Sequence, residues 1–93
     1  MAVAEICLFP LGTGSPSVGG YIEPVIEVIR KSGLKYRTCP MGTVVEGSVE
    51  EILELVKACH EAILKAGAER VVISLRIDDR TDKPLTIEGK MRV

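Results

Sequence analysis

Phe9-Pro10-Leu11-Gly12-Thr13-Gly14-Ser15-Pro16-Ser17 separates two runs of different periodicity, and the fold follows from what stands on either side. Its two glycines and two prolines exclude regular structure, while Thr13, Ser15 and Ser17 supply three hydroxyls. Before it, residues 2–9 are apolar on both faces except at Glu5. That pattern suits a central strand in a sheet covered on both sides, ended by Pro10. After it, Val18, Ile22, Val25, Ile26 and Ile29 recur at helical spacing, with Ser17 as the expected N-cap. A loop that enters a helix N-terminus presents unpaired N–H groups and can hold an anion or a polar ligand edge. It serves equally as a plain connection.

Gly19, Gly20 and Pro24 trouble this helix, so either its first turn is irregular or it begins near Gly20, and Gly33 stops it after Arg30 and Lys31. Residues 34–38 alternate apolar and basic, as an edge strand with one wet face does. Pro40 breaks that strand, and residues 41–46 read as a third strand in a hairpin with it. Ser48-Val49-Glu50-Glu51 is a capping box. The helix behind it is expected to carry Val49, Ile52, Leu53, Val56, Cys59, Ile63 and Ala66 on one stripe, up to Gly67. Residues 71–78 form the last strand, with Val71, Ile73, Leu75 and Ile77 on one face and Val72, Ser74, Arg76 and Asp78 on the other. Residues 79–84 are a charged loop, and the tail 86–93 starts a short helix capped by Thr86.

The order β-α-β-β-α-β is the signature of the ferredoxin-like α+β sandwich. The expected sheet is antiparallel, four-stranded, in order 4-1-3-2, with both helices on one face. Right-handed crossovers are expected to set the first and third strands side by side and parallel. On that reading the 10–17 loop and Glu46 share one end of the sheet, while Thr43, Asp78 and Arg80 share the other. The second face is left open, carrying Lys35, Arg37, Ser74, Arg76 and Asp78 with either Glu5, Cys7 and Phe9 or Ala4, Ile6 and Leu8 from the first strand, the charge of Glu5 favouring the former set. Such a mixed face either binds something or docks another sheet.

Composition narrows the function. Twelve basic and thirteen acidic residues give a net charge of −1, with no basic stripe of the kind nucleic acid requires. The longest apolar runs are strand-length, so no membrane span is expected, nor is a secretion signal at the N-terminus. A cytoplasmic location is the default expectation. Cys7, Cys39 and Cys59 are widely spaced, and Cys59 and His60, adjacent on a helix, point in different directions. Buried or half-buried thiols are expected rather than disulfides or a metal site. With one Phe, two Tyr and no Trp, the core is aliphatic and gains from subunit association. No nucleophile–base pair, metal cluster or P-loop is present in the sequence, so no enzyme is expected.

Four segments together resemble a known family: Phe-Pro-Leu-Gly-Thr at 9–13, Met-Gly-Thr-Val-Val-Glu at 41–46, His-Glu-Ala at 60–62 and Ile-Asp-Asp-Arg at 77–80. They are similar to the small YkoF-like thiamine-binding proteins over nearly the whole chain, from about residue 3 to about residue 91. The chain departs from the family pattern at Pro16, Gly19, Gly20 and Pro24, and in a shortened C-terminal helix. The resemblance implies a single ferredoxin-like domain that binds thiamine, or its hydroxymethylpyrimidine half, without turnover and with no further cofactor. It also implies self-association through sheet faces or edges into a dimer or a dimer of dimers.

The chemistry of such a ligand selects candidate residues. An aminopyrimidine offers an amine donor and ring-nitrogen acceptors on one edge. Glu46 or Asp78 can accept from the amine, and the hydroxyls of Thr13, Ser15, Ser17 or Thr43 can meet the ring nitrogens. Phe9 and Tyr36 are the rings available to a thiazolium. A phosphorylated ligand would turn to the Gly12–Ser17 loop and to Arg76 or Arg80. Plainer roles stand beside these: Glu46 as a strand-end cap, Thr43 as a strand residue, and 78–80 as a solvated turn. A ligand-free docking module that uses the open sheet face is the alternative function.

Overall fold

Strand β1 (Ala2–Pro10) is the centre of the molecule, hydrogen-bonded on both sides. The computed structural model describes residues 1–91. After β1 come α1 (Gly19–Lys31), β2 (Lys35–Cys39), β3 (Gly42–Gly47), α2 (Val49–Lys65), β4 (Val71–Asp79) and the single-turn α3 (Ile87–Lys90). The sheet order is β2-β3-β1-β4, which matches the expected 4-1-3-2 arrangement.

Every pairing is antiparallel, including β1 with β3. The parallel pairing expected there is corrected by simple geometry. The crossover through α1 makes β2 run with β1, and the β2–β3 hairpin then reverses β3. The consequence reaches the site, because β3 ends where β1 begins: Ala2 stands opposite Gly47 and Val3 opposite Glu46.

The core lies between the sheet and the two long helices. Ala2, Ala4, Ile6 and Leu8 from β1 pack with Val25 and Ile29 of α1 and Ile52, Leu55, Cys59 and Ile63 of α2. Val45 joins from β3. The stripe on α2 differs from the expected one: Leu53 is half exposed, and Leu55 takes its place in the core. Leu53 is one residue, about 100°, round the helix from Ile52, whereas Leu55 lies three residues on and returns to the same face.

The capping box forms in full. Ser48 Oγ accepts from the Glu51 N–H at 3.1 Å, and Glu51 Oε1 accepts from the Ser48 N–H at 2.9 Å. At α1 the expected Ser17 cap is replaced. Val18 is the N-cap residue, with no side-chain cap bond, and its carbonyl accepts from Tyr21 and Ile22. Ser17 instead donates its N–H to Ser15 Oγ at 3.1 Å. Gly33, at φ 82°, lets the chain leave α1 in the left-handed region that other residues avoid. β1 ends at Pro10 as expected, and Leu11 N–H donates to Arg70 O at 2.8 Å just beyond it.

Thr86 caps α3, accepting from Gly89 N–H at 2.9 Å, as the sequence indicates. The last two residues of the expected tail helix, Arg92 and Val93, lie outside the described residues.

Candidate ligand-binding site

The pleat sends alternate residues to opposite faces, so the register decides what the second face carries. Opposite residues across the four strands form rows. One row is Lys35, Glu46, Val3 and Asp78; the next is Arg37, Val44, Glu5 and Arg76. Cys7 and Ser74 stand opposite each other beyond these, then Phe9 and Val72. The set expected on the open face is the set found there.

That face is not wholly open. Helix α3 lies along the first row and is tied to three strands. Glu88 pairs with Lys35 on β2. The Ile87 N–H donates to Glu46 Oε1 on β3 at 3.0 Å. Lys90 Nζ reaches Asp78 Oδ2 on β4 at 2.5 Å. Ile87 and Val3, in the middle, are both buried. The exchange with Lys35 holds the Glu88 carboxyl below the usual range and raises the Lys35 ammonium.

Between α3 and the second row is a cavity of about 450 Å³. Val3, Val44, Ile77 and Ile87 give it apolar walls, and Glu5, Arg37, Arg76, Asp78 and Lys90 set charges around them. Arg37 Nη1 donates to Met91 Sδ at 2.7 Å. This combination of apolar surface with a few polar groups is what small-molecule sites use.

The candidate residues therefore divide. Glu46, Arg76 and Asp78 come together at this face, Glu46 beneath α3 and the other two on the cavity wall. Arg80 lies just past β4 and forks onto Asp82 at 2.6 and 2.9 Å, which makes that segment a charged turn. Thr43 is buried on the opposite face of the sheet from Glu46. Gly12, Thr13, Ser15 and Ser17 are at the far end of β1, roughly 25 Å from Val3 at the rise of an extended strand. The expectation that Glu46 accompanies this loop, away from Asp78, is overturned: Glu46 and Asp78 both stand opposite Val3.

The loop has its own surroundings. Thr13 Oγ1 donates to Ser15 O at 2.9 Å, so part of its hydroxyl supply is satisfied internally. Gly12 and Gly14 take φ 73° and 79°, conformations that side chains resist. With Tyr21 and residues 67–70, Gly12 and Thr13 border a second cavity of about 450 Å³.

Glu5, Arg37, Lys90 and Ile87 belong to the first cavity and were not among the candidate ligand contacts. Glu5 had a visible signal, as the one charge in an otherwise apolar strand. Lys90 and Ile87 had none, because a single helical turn has no period to read. Among the described residues no three His, Cys, Asp or Glu side chains stand close enough to share a metal ion. No helix among them is long and apolar enough to cross a membrane.

Fold and site together define a ferredoxin-like α+β domain with a cavity on the sheet face away from its long helices. The chain belongs to the thiamine-binding protein family, whose profile matches residues 4–93. The four-segment resemblance is thereby borne out. The UPF0045 protein MJ1052 of Methanocaldococcus jannaschii is 48% identical over 90 residues, covering 97% of this chain and 88% of its own. Its crystal structure superposes with a TM-score of 0.89, covering 98% of this chain and 92% of that one. The UPF0045 protein YqgV of Bacillus subtilis is 37% identical over 95 residues, covering 98% and 91%. TM0486 of Thermotoga maritima, a candidate thiamine biosynthesis/salvage protein, is similar at 32% identity and a TM-score of 0.85, covering 97% and 94%.

Proposed function

We propose that this protein binds thiamine or its hydroxymethylpyrimidine half, without turnover, as a cytoplasmic carrier, buffer or sensor. Family membership supports the ligand class, and the open-face cavity is the place proposed for it. The carrying observation is an apolar cavity of about 450 Å³ with the Glu5 and Asp78 carboxylates at its wall. An aminopyrimidine ring stacks on the aliphatic surface while its exocyclic amine donates to a carboxylate. Asp78 is already held by Lys90, so Glu5 is the freer acceptor. The loop hydroxyls of Thr13, Ser15 and Ser17 stand too far from Glu5 and Asp78 to join the same ligand within one subunit.

Isothermal titration with thiamine and with hydroxymethylpyrimidine tests this. The expected result is saturable heat for at least one of them, weakened several-fold in Glu5→Gln. Heat no larger than dilution for both at millimolar concentration would refute it.

A second reading is a docking module in which the sheet face or edge joins copies of the chain, as a dimer or a dimer of dimers. The observation that favours it is the part of the face beyond α3, where Phe9 is 39% exposed beside Val72. An oligomer by sedimentation, unchanged by either ligand and accompanied by no binding heat, would select this reading over the first.

A further inference from the structure

The two rows of the open face differ in what is left to bind with. In the first row every charged group already has a partner on α3: Lys35 holds Glu88, Glu46 holds the Ile87 amide, and Asp78 holds Lys90. The second row has Arg37, Glu5 and Arg76, with Val44 between the first two. Among the described residues, no carboxylate lies within ion-pair distance of Arg37 or Arg76. Arg37 donates to the Met91 thioether, a weak and uncharged acceptor, and Glu88, whose carboxylate lies in the field of Arg37, bonds Lys35.

Taken over the cavity wall, Lys90 offsets Asp78 and Glu5 offsets one arginine, so one positive charge remains. From these placements we infer that the cavity selects a phosphate monoester of its pyrimidine or thiamine ligand over the free alcohol, with Arg37 and Arg76 closing on the phosphate from opposite edges. The two arginines are three strand spacings apart, roughly 14 Å between backbones, a gap that two long side chains narrow around a tetrahedral anion. Guanidinium donors match phosphate oxygens in pairs, and each such bond is charge-assisted. Glu5, between them, remains the acceptor for the ring amine. A thiamine cation adds charge of the sign already in excess, whereas its monophosphate removes the excess. Neither the glycine loop nor Arg80 takes part, since the loop is at the other end of the sheet and Arg80 is held by Asp82.

The inference rests on the proposed ligand class and is tested so that the two can fail separately. Isothermal titration compares hydroxymethylpyrimidine with its phosphate ester, and thiamine with thiamine monophosphate, at low and at raised salt. The expected result is a preference for each ester of about tenfold or more, the scale of one charge-assisted hydrogen bond, shrinking as salt rises. In Arg76→Gln and Arg37→Gln the ratio of ester to alcohol affinity, taken within each variant, falls toward unity; both positions are exposed. Alcohols that bind as tightly as their esters overturn the inference and leave the proposed function standing. Esters preferred equally in both variants overturn the arginine clamp. No binding of any of the four overturns both.

Discussion

Ser48 shows how one hydroxyl sets the start of the longest helix. It accepts from Glu51, and Glu51 returns the bond to the Ser48 amide. Those bonds hold the Glu51 carboxyl below its ordinary value. Ser48→Ala leaves a helix donor without its partner and is expected to cost about 1 kcal/mol, read from the urea midpoint with an unchanged slope. Cys59 makes a different point about single residues. It is fully buried among aliphatic side chains, which pushes its thiol up to about 11, so it carries almost no thiolate at neutral pH. Cys7 and Cys39 are only half-buried. A thiol-specific disulfide reagent is expected to react with two equivalents in the native protein and with the third only in denaturant. Three equivalents reacting at one rate would contradict the burial of Cys59.

At the scale of elements, α3 matters beyond its size. Four residues do not make a stable helix alone, since nucleation is costly, so its fold depends on the sheet beneath. Ile87, 6% exposed, supplies the apolar contact. Ile87→Ala is expected to lower stability by about 2 kcal/mol and to speed amide exchange at residue 87, whose N–H is held by Glu46. An unchanged midpoint and exchange rate would mean that α3 is held by its charges alone. The long elements were legible in the sequence for physical reasons. Alternation exposed β2 and β4, an apolar run ended by Pro10 exposed β1, and the capping box marked α2 to the residue. Thr86 as a cap was legible too, but what α3 covers was not, because a single turn has no period and its partners Lys35, Glu46 and Asp78 lie on three different strands.

For the whole molecule, direction decided more than composition. The open-face residues of β1, β2 and β4 could be read from each strand's own sequence, and that set proved right. The location of Glu46 could not, because it depends on whether β3 runs with β1 or against it, and a reversed strand moves its ends by its whole length. The candidate site was therefore half legible: Glu46, Arg76 and Asp78 meet, and the loop hydroxyls do not join them. Global electrostatics yields a further expectation. Glu27, Glu51, Glu88 and Asp82 are all held below their ordinary values by neighbouring donors. A carboxyl depressed in the folded chain contributes stability that is complete above its unfolded value and is lost as pH falls through the folded one. The urea midpoint should therefore be flat from neutral pH down to about 5 and decline below 4.5, the ordinary glutamate value. A midpoint that rises on acidification would contradict these pairings.

The ties of α3 carry one more consequence, which is mechanical. Strands β2 and β4 are the outer edges of the sheet and are never neighbours. Yet Lys35 on one and Asp78 on the other grip the same short helix, with Glu46 holding it between them. The sheet thus has a cross-brace set at right angles to its strands. Hydrogen bonds of a ladder resist separation of neighbours, while a brace resists shear between strands that do not touch. A ligand that pushes against α3 from the cavity loads both edges at once, so its arrival at one wall is felt at the other.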